Sequence, residues 1–221
     1  MTRTLHTQPR SMLAARRAGA PHRSRGDEPL AAHRQQRLIS DLGVELREDD
    51  DGRWPRIRVG RSRPGFLHPI GRGEIVEVLT FFGPLARYGL RSIELRQSVG
   101  EESGSLTLSR LLVPGRIVLY EQTQPPWLFR GELSQESKAR LERAGAAIES
   151  EPALTRVEWP GRSLADFMLF DGLMHEIGHH LIQHHKGKRL ARVMRTSDHE
   201  RRAEQFAVAC RRAWVRRETP A

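Results

Sequence analysis

The run His175-Glu176-Ile177-Gly178-His179 sets two imidazoles four residues apart, with a carboxylate beside the first. On an α-helix that spacing is about 400° of rotation and about 6 Å of rise, so both rings leave one face and can share a metal ion. Neutral imidazole is a good ligand for zinc, and a zinc site needs a further protein donor to go with the pair. Glu176 need not ligate. Beside the ion, its carboxylate can take the proton from a water whose pKa the cation lowers, which is the chemistry of metal-assisted hydrolysis.

Such a motif works only on a helix, and the flanking residues supply one. Leu164, Phe167, Met168, Met174, Ile177, Leu181 and Ile182 recur at threes and fours with no internal proline, which predicts one helix over residues 163–186, with Ser163 as its cap and Gly187 as its stop. Gly178 costs such a helix about 1 kcal/mol relative to alanine. A residue without a side chain between the two histidines lets another backbone, or a substrate, come close.

Three residues compete for the third ligand position. His185 gives the spacing HExxHxxxxxH, which resembles the metzincin pattern His175, His179, His185. That family has a glycine three residues after the second histidine, where the helix breaks; here the residue is Ile182. If the helix continues, His185 lies about 15 Å along the axis from His175 and out of reach of the same ion. His199 would make a three-histidine site and resembles the SprT-like proteases, whose cysteine-rich zinc ribbon cannot be built from the single Cys210. Glu200-Arg201-Arg202-Ala203-Glu204, with Phe206 and Ala207 following, resembles the gluzincin arrangement of HExxH on one helix and ExxA(D/N) on the next. That resemblance implies Glu200 as the third ligand and Glu204 as the residue holding a ligand histidine by its second nitrogen. Position 204 departs from the pattern by being Glu. Ser197 and Glu200 also fit a capping box, which would use the same glutamate to start the helix.

Among gluzincins the chain is similar to the compact ImmA/IrrE-like peptidases, on Glu200, Ala203, Phe206 and Ala207. The resemblance covers roughly residues 90–217 at coarse grain, with its specific motifs within 175–207. It implies a small α+β zincin-like domain over residues 37–221, a mixed sheet packed on the HExxH helix and a C-terminal ligand-bearing helix. It further implies Zn2+ as cofactor, a hydrolase acting on a protein or peptide, Glu176 as general base, and an association with cleavage of DNA-bound repressors. An oxyanion donor is usual in such sites, and His180, Tyr88, Tyr120 and His199 are candidates. An edge strand that pairs with extended substrate is also implied, with residues 117–120 as its candidate.

Composition bounds the alternatives. A chain of 221 residues holds one ample core, and one cysteine excludes an internal disulfide. With no long apolar run and no signal-like start, the expectation is a soluble cytoplasmic protein. The net charge is +10, with a pI near 11.0. Residues 1–36 are rich in Arg, Pro, Ser and Gly and lack the apolar spacing needed to pack, so they read as a disordered basic tail. That tail and the Arg pairs 201/202, 211/212 and 216/217 suggest weak, sequence-independent DNA or RNA association. The competing reading of the whole is a basic nucleic-acid-associated binding protein with a structural or vestigial metal site.

For the scaffold, strands are expected at 56–59, 90–96, 106–112, 115–121 and 155–159. Helices are expected at 74–82, ended by Gly83-Pro84, and at 134–145, capped by Ser134.

Overall fold

The alternation Ser-Ile-Glu-Leu-Arg sends Ile93 and Leu95 to one side of a strand and Ser92, Glu94 and Arg96 to the other. This strand, β3 (Ser92–Arg96), is interior to a four-stranded mixed sheet of order β1-β3-β5-β4. β1 (Arg56–Val59) and β5 (Arg116–Tyr120) flank it in parallel, and β4 (Ser109–Leu112) runs antiparallel to β5. Ile57, Ile93 and Ile117 stand in one row and Leu95 and Leu119 in the next, making one apolar face. The computed structural model describes residues 30–41, 53–98, 107–185 and 196–218.

Helices cover that apolar face. α2 (Arg72–Phe82) buries Ile75, Val78, Leu79, Phe81 and Phe82, ends at Gly83 and passes into the short α3 (Pro84–Arg87). The long helix carrying the motif lies against β4 and β5, and the C-terminal α7 (Ser197–Glu218) crosses it. A second, three-stranded antiparallel sheet, β7-β9-β8, is formed by β7 (Trp127–Arg130), β9 (Leu154–Glu158) and β8 (Ala147–Glu151). It joins the core through Trp127, whose ring meets Trp159 edge-on at 4.9 Å. α4 (Gln135–Arg143) precedes β8, with the Ser134 hydroxyl accepting from the Ser137 N–H as its cap. β2 (Phe66–Leu67) and β6 (Gln122–Thr123) form a small antiparallel pair.

This is the α+β architecture expected, with differences that have local causes. The helix over 163–186 is described to His185 and is not uniformly α. α5 (Ser163–Phe167) leads into a π-helical segment, Met168–Met174, and then into α6 (His175–His185). A π turn holds about one residue more than an α turn, so the motif is rotated relative to what unbroken α spacing would give. Its cap residue is Arg162, and Ser163 is the first helical residue. The strand over 115–121 is interior, and among the described residues the sheet edge beside the long helix is β4. The described residues include 30–36, ahead of the expected domain start at 37. Leu30 is buried and donates its N–H to the Phe81 carbonyl at 2.7 Å, and α1 (Ala32–Asp41) contacts α7 and buries Leu38 and Ile39. The rest of the expected tail, residues 1–29, lies outside the described residues. Among the described residues no helix is long and apolar enough to cross a membrane.

Candidate metal centre

The π segment ends where the motif begins, and the N–H of His175 reaches the carbonyls of Phe170 and Gly172. From there α6 is regular, so His175 and His179 emerge one turn apart with ring centroids 4.7 Å from each other. Their Nε2 atoms are 3.1 Å apart. Glu200, in the first turn of α7, brings Oε2 to 3.2 Å from His175 Nε2 and 3.1 Å from His179 Nε2. Three donor atoms thus form a nearly equilateral triangle.

That triangle tests whether an ion would fit. A four-coordinate ion with bonds of about 2.0–2.1 Å has ligand-to-ligand edges of about 3.3 Å. Edges of 3.1–3.2 Å would seat such an ion about 1 Å above the triangle's plane, leaving its outer side for a fourth ligand. The donor set of two imidazoles and one carboxylate is the chemistry such ions take. His175, His179 and Glu200 therefore form a candidate metal site. Of the other two contenders, His199 lies outside this group, and α6 continues as helix through His185, so the backbone does not turn back there.

Why Glu200 reaches the histidines follows from how α7 starts and crosses. Thr196 precedes the helix and takes the His199 N–H on its hydroxyl at 3.3 Å, while its carbonyl accepts from the Glu200 N–H at 3.0 Å. Thr196 is thus the cap, and the Glu200 carboxylate is released from the capping-box role that Ser197 and Glu200 suggested. Ala203, fully buried, then passes against Gly178. A Cβ at Gly178 would stand 3.2 Å from Ala203 Cα and 3.1 Å from Phe206 Cδ1. The close partner implied by this glycine is the backbone of α7. Ala207, Cys210, Ala213 and Trp214 continue the buried stripe of α7.

Electrostatics favour an anionic ligand. The Glu200 carboxyl is held down at about 2 by its hydrogen bond with His175, reinforced by the charges of both histidines, against the opposing effect of partial burial.

Glu176 is buried and faces β4, where Ser109 Oγ lies 3.3 Å from its Oε1 and 3.3 Å from the Gly172 carbonyl. One hydroxyl proton serves both acceptors, so the edge strand, the π segment and the carboxylate are tied at one atom. Ser109 was missed in the sequence, although the alternation of β4 sets it on the same face as Leu111. Asp171, in the π segment, was missed too. It accepts from Arg140 Nε of α4 at 3.2 Å and from Arg211 Nη2 of α7 at 2.6 Å, which fixes the approach of α7.

Other expected roles are corrected. Glu204 is exposed and accepts from Arg143 at 3.2 Å, so it holds neither ligand histidine. His180 is buried and donates from Nε2 to the Tyr88 carbonyl at 2.9 Å, with Gly115, at φ +63°, packed beside its ring. His180 and the backbone of Tyr88 are joined as a clamp between α6 and the approach to β3. The arginine pairs of α7 are divided. Arg201 and Arg202 pair with Asp198, Arg211 with Asp171 and Arg217 with Glu77, while Arg212 and Arg216 are exposed.

No protein-family model matches this chain, and neither the curated proteins nor the solved structures give a match.

Proposed function

We propose that this protein is a zinc-dependent peptidase of the gluzincin type, with His175, His179 and Glu200 as the metal ligands and Glu176 as the general base. The observation that carries the reading is the donor triangle with edges of 3.1–3.2 Å, set beside a buried carboxylate. Zinc bound there would supply the Lewis acidity that polarises a scissile carbonyl and acidifies water. Glu176, with Oε1 held by Ser109, takes a proton from the attacking water and returns it to the leaving amine. Its burial keeps the carboxylate in one place through both transfers, which limits the reorganisation each transfer requires.

β4 supports a peptide substrate in particular. Among the described residues it ends the sheet, pairing with β5 on one side only, and Ser109 couples it directly to Glu176. An extended chain added along Ser109–Leu112 would be held by main-chain hydrogen bonds next to the base. The buried packing of Ala203, Phe206 and Ala207 favours the ImmA/IrrE-like reading, and Glu204 speaks against a complete match. By that likeness the substrate would be a regulatory protein associated with DNA.

The deciding experiment compares Glu176→Gln with wild type by elemental analysis and by peptide-library cleavage. About one zinc per chain in both, with cleavage lost in the variant, supports the enzyme. Equal cleavage by both proteins sinks the base assignment. Full zinc with no cleavage by either protein favours the binding protein with a structural metal site.

A further inference from the structure

The face of the four-stranded sheet turned away from the metal centre carries arginine on every strand. The register sets Arg56 and Arg58 of β1, Arg96 of β3, Arg116 of β5 and Arg110 of β4 on that face. Among the described residues of its strands the one acid is Glu94, which is buried and bonded to Arg96 and, at 3.3 Å, to Arg116. Both arginines share that one carboxylate, so the centre of the face keeps a single net positive charge. Arg56, Arg58 and Arg110 are exposed, with no ion-pair partner among the described residues.

Arginines with no ion-pair partner among the described residues therefore lie along the two edges, on β1 and on β4. Three inter-strand spacings separate these edges, about 14 Å. Two phosphate rows bordering the major groove of B-form DNA are separated by a groove about 12 Å wide, whereas the major groove of A-form RNA is narrow and deep. Single strands are held by stacking on aromatic rings, and among the described residues the strands offer this face only the half-buried Tyr120. From this arrangement we infer that the outer face of the sheet binds the backbone of duplex DNA, without reading sequence, through Arg56, Arg58 and Arg110.

This surface differs from the basic N-terminal stretch and from α7, where four of the six paired arginines are spent on internal contacts. It does not rest on the peptidase reading, since none of its residues belongs to the metal centre, although Arg110 lies on β4, the strand proposed to hold substrate by its main chain. It would let the metal-centre side of the molecule face a protein while the opposite side holds DNA.

The test is fluorescence anisotropy of a labelled 25-base-pair duplex with the full chain across a salt series. The proteins compared are wild type, Arg56→Glu/Arg58→Glu/Arg110→Glu, the milder singles Arg58→Gln and Arg110→Gln, and Arg212→Glu/Arg216→Glu as a matched control. The expected result is salt-dependent duplex binding that falls at least tenfold in the triple variant. The slope of log K against log salt should drop by about 3 in that variant and by about 1 in each single, with the control unchanged. Circular dichroism and melting confirm that the variants fold, and the singles carry the test if the triple does not. Affinity unchanged by the sheet substitutions overturns the proposal, as do an equal loss in the control, tighter binding of single-stranded DNA, duplex RNA or polyglutamate than of the duplex, or no duplex binding by wild type.

Discussion

A methyl group added at Gly178 would stand 3.2 Å from the Cα of Ala203, so the crossing of the two helices that carry the candidate ligands is set at a point between the two histidines. The crossing fixes the height of Glu200 over the histidine pair. A large side chain at 178 must push α7 away. Gly178→Leu is expected to lower stability by about 2–3 kcal/mol, the scale of overpacking in a filled core. It should also weaken zinc binding more than tenfold while leaving helix content intact. Competition with a chromophoric chelator and far-UV circular dichroism check this, and undiminished affinity would show that the crossing does not set the site.

The ligand set gives a second prediction. Glu200→Ala, His175→Ala and His179→Ala should each abolish stoichiometric zinc at micromolar metal, whereas His199→Ala and Glu204→Gln should keep it. Wild type should gain about 2.7 kcal/mol of stability when free zinc is a hundred times its dissociation constant, and the three ligand variants should gain little. Thermal melts with and without zinc measure both effects. A loss in His199→Ala equal to that in Glu200→Ala would reassign the third ligand.

Ser109 separates positioning from metal binding. Ser109→Ala removes the hydroxyl that serves Glu176 and the Gly172 carbonyl. Zinc content should stay at the wild-type value while turnover of a cleaved peptide falls about three- to tenfold, as for a lost hydrogen bond worth about 1 kcal/mol. Loss of zinc in this variant would instead make Ser109 a support of the ligand helix.

Away from the centre, Glu121 supplies a pH signature. Its buried side chain is pushed up by desolvation, and the backbone N–H of Arg63 at 2.8 Å together with the Arg63 guanidinium more than reverses this, leaving its pKa below the usual value. A carboxyl lowered by folding contributes stability that is full above its unfolded value, about 4.5, and is lost as pH falls through the lower folded value. Arg63→Ala should cost about 2 kcal/mol at pH 7, less than the loss of a fully buried partner because Arg63 is 39% exposed. The difference in melting temperature between variant and wild type should shrink as pH falls below the unfolded value of Glu121 and through its lower folded one. A constant difference from pH 7 to pH 3 would remove Glu121 as its source.

The sequence by itself determined what short-range geometry can encode. The His175 and His179 pairing on one helix face needs only the helical repeat, and the Ser134 cap and the alternation of β3 and β5 are equally local. The helical repeat sets His185 out of reach of the pair, resemblance favours Glu200 over His199, and the Glu200 carboxylate also fits a local cap with Ser197. Only the tertiary structure brings the Glu200 carboxylate to the histidine pair, because Thr196 takes the cap and the Gly178 to Ala203 contact brings α7 within hydrogen-bond reach of the histidines. The same holds for the Ser109 contact to Glu176, for β4 as the edge strand and for the arginine face, each of which depends on which strands become neighbours. Strand order and helix crossing are settled by packing between segments far apart in the chain, and a period of two or 3.6 residues carries no record of them.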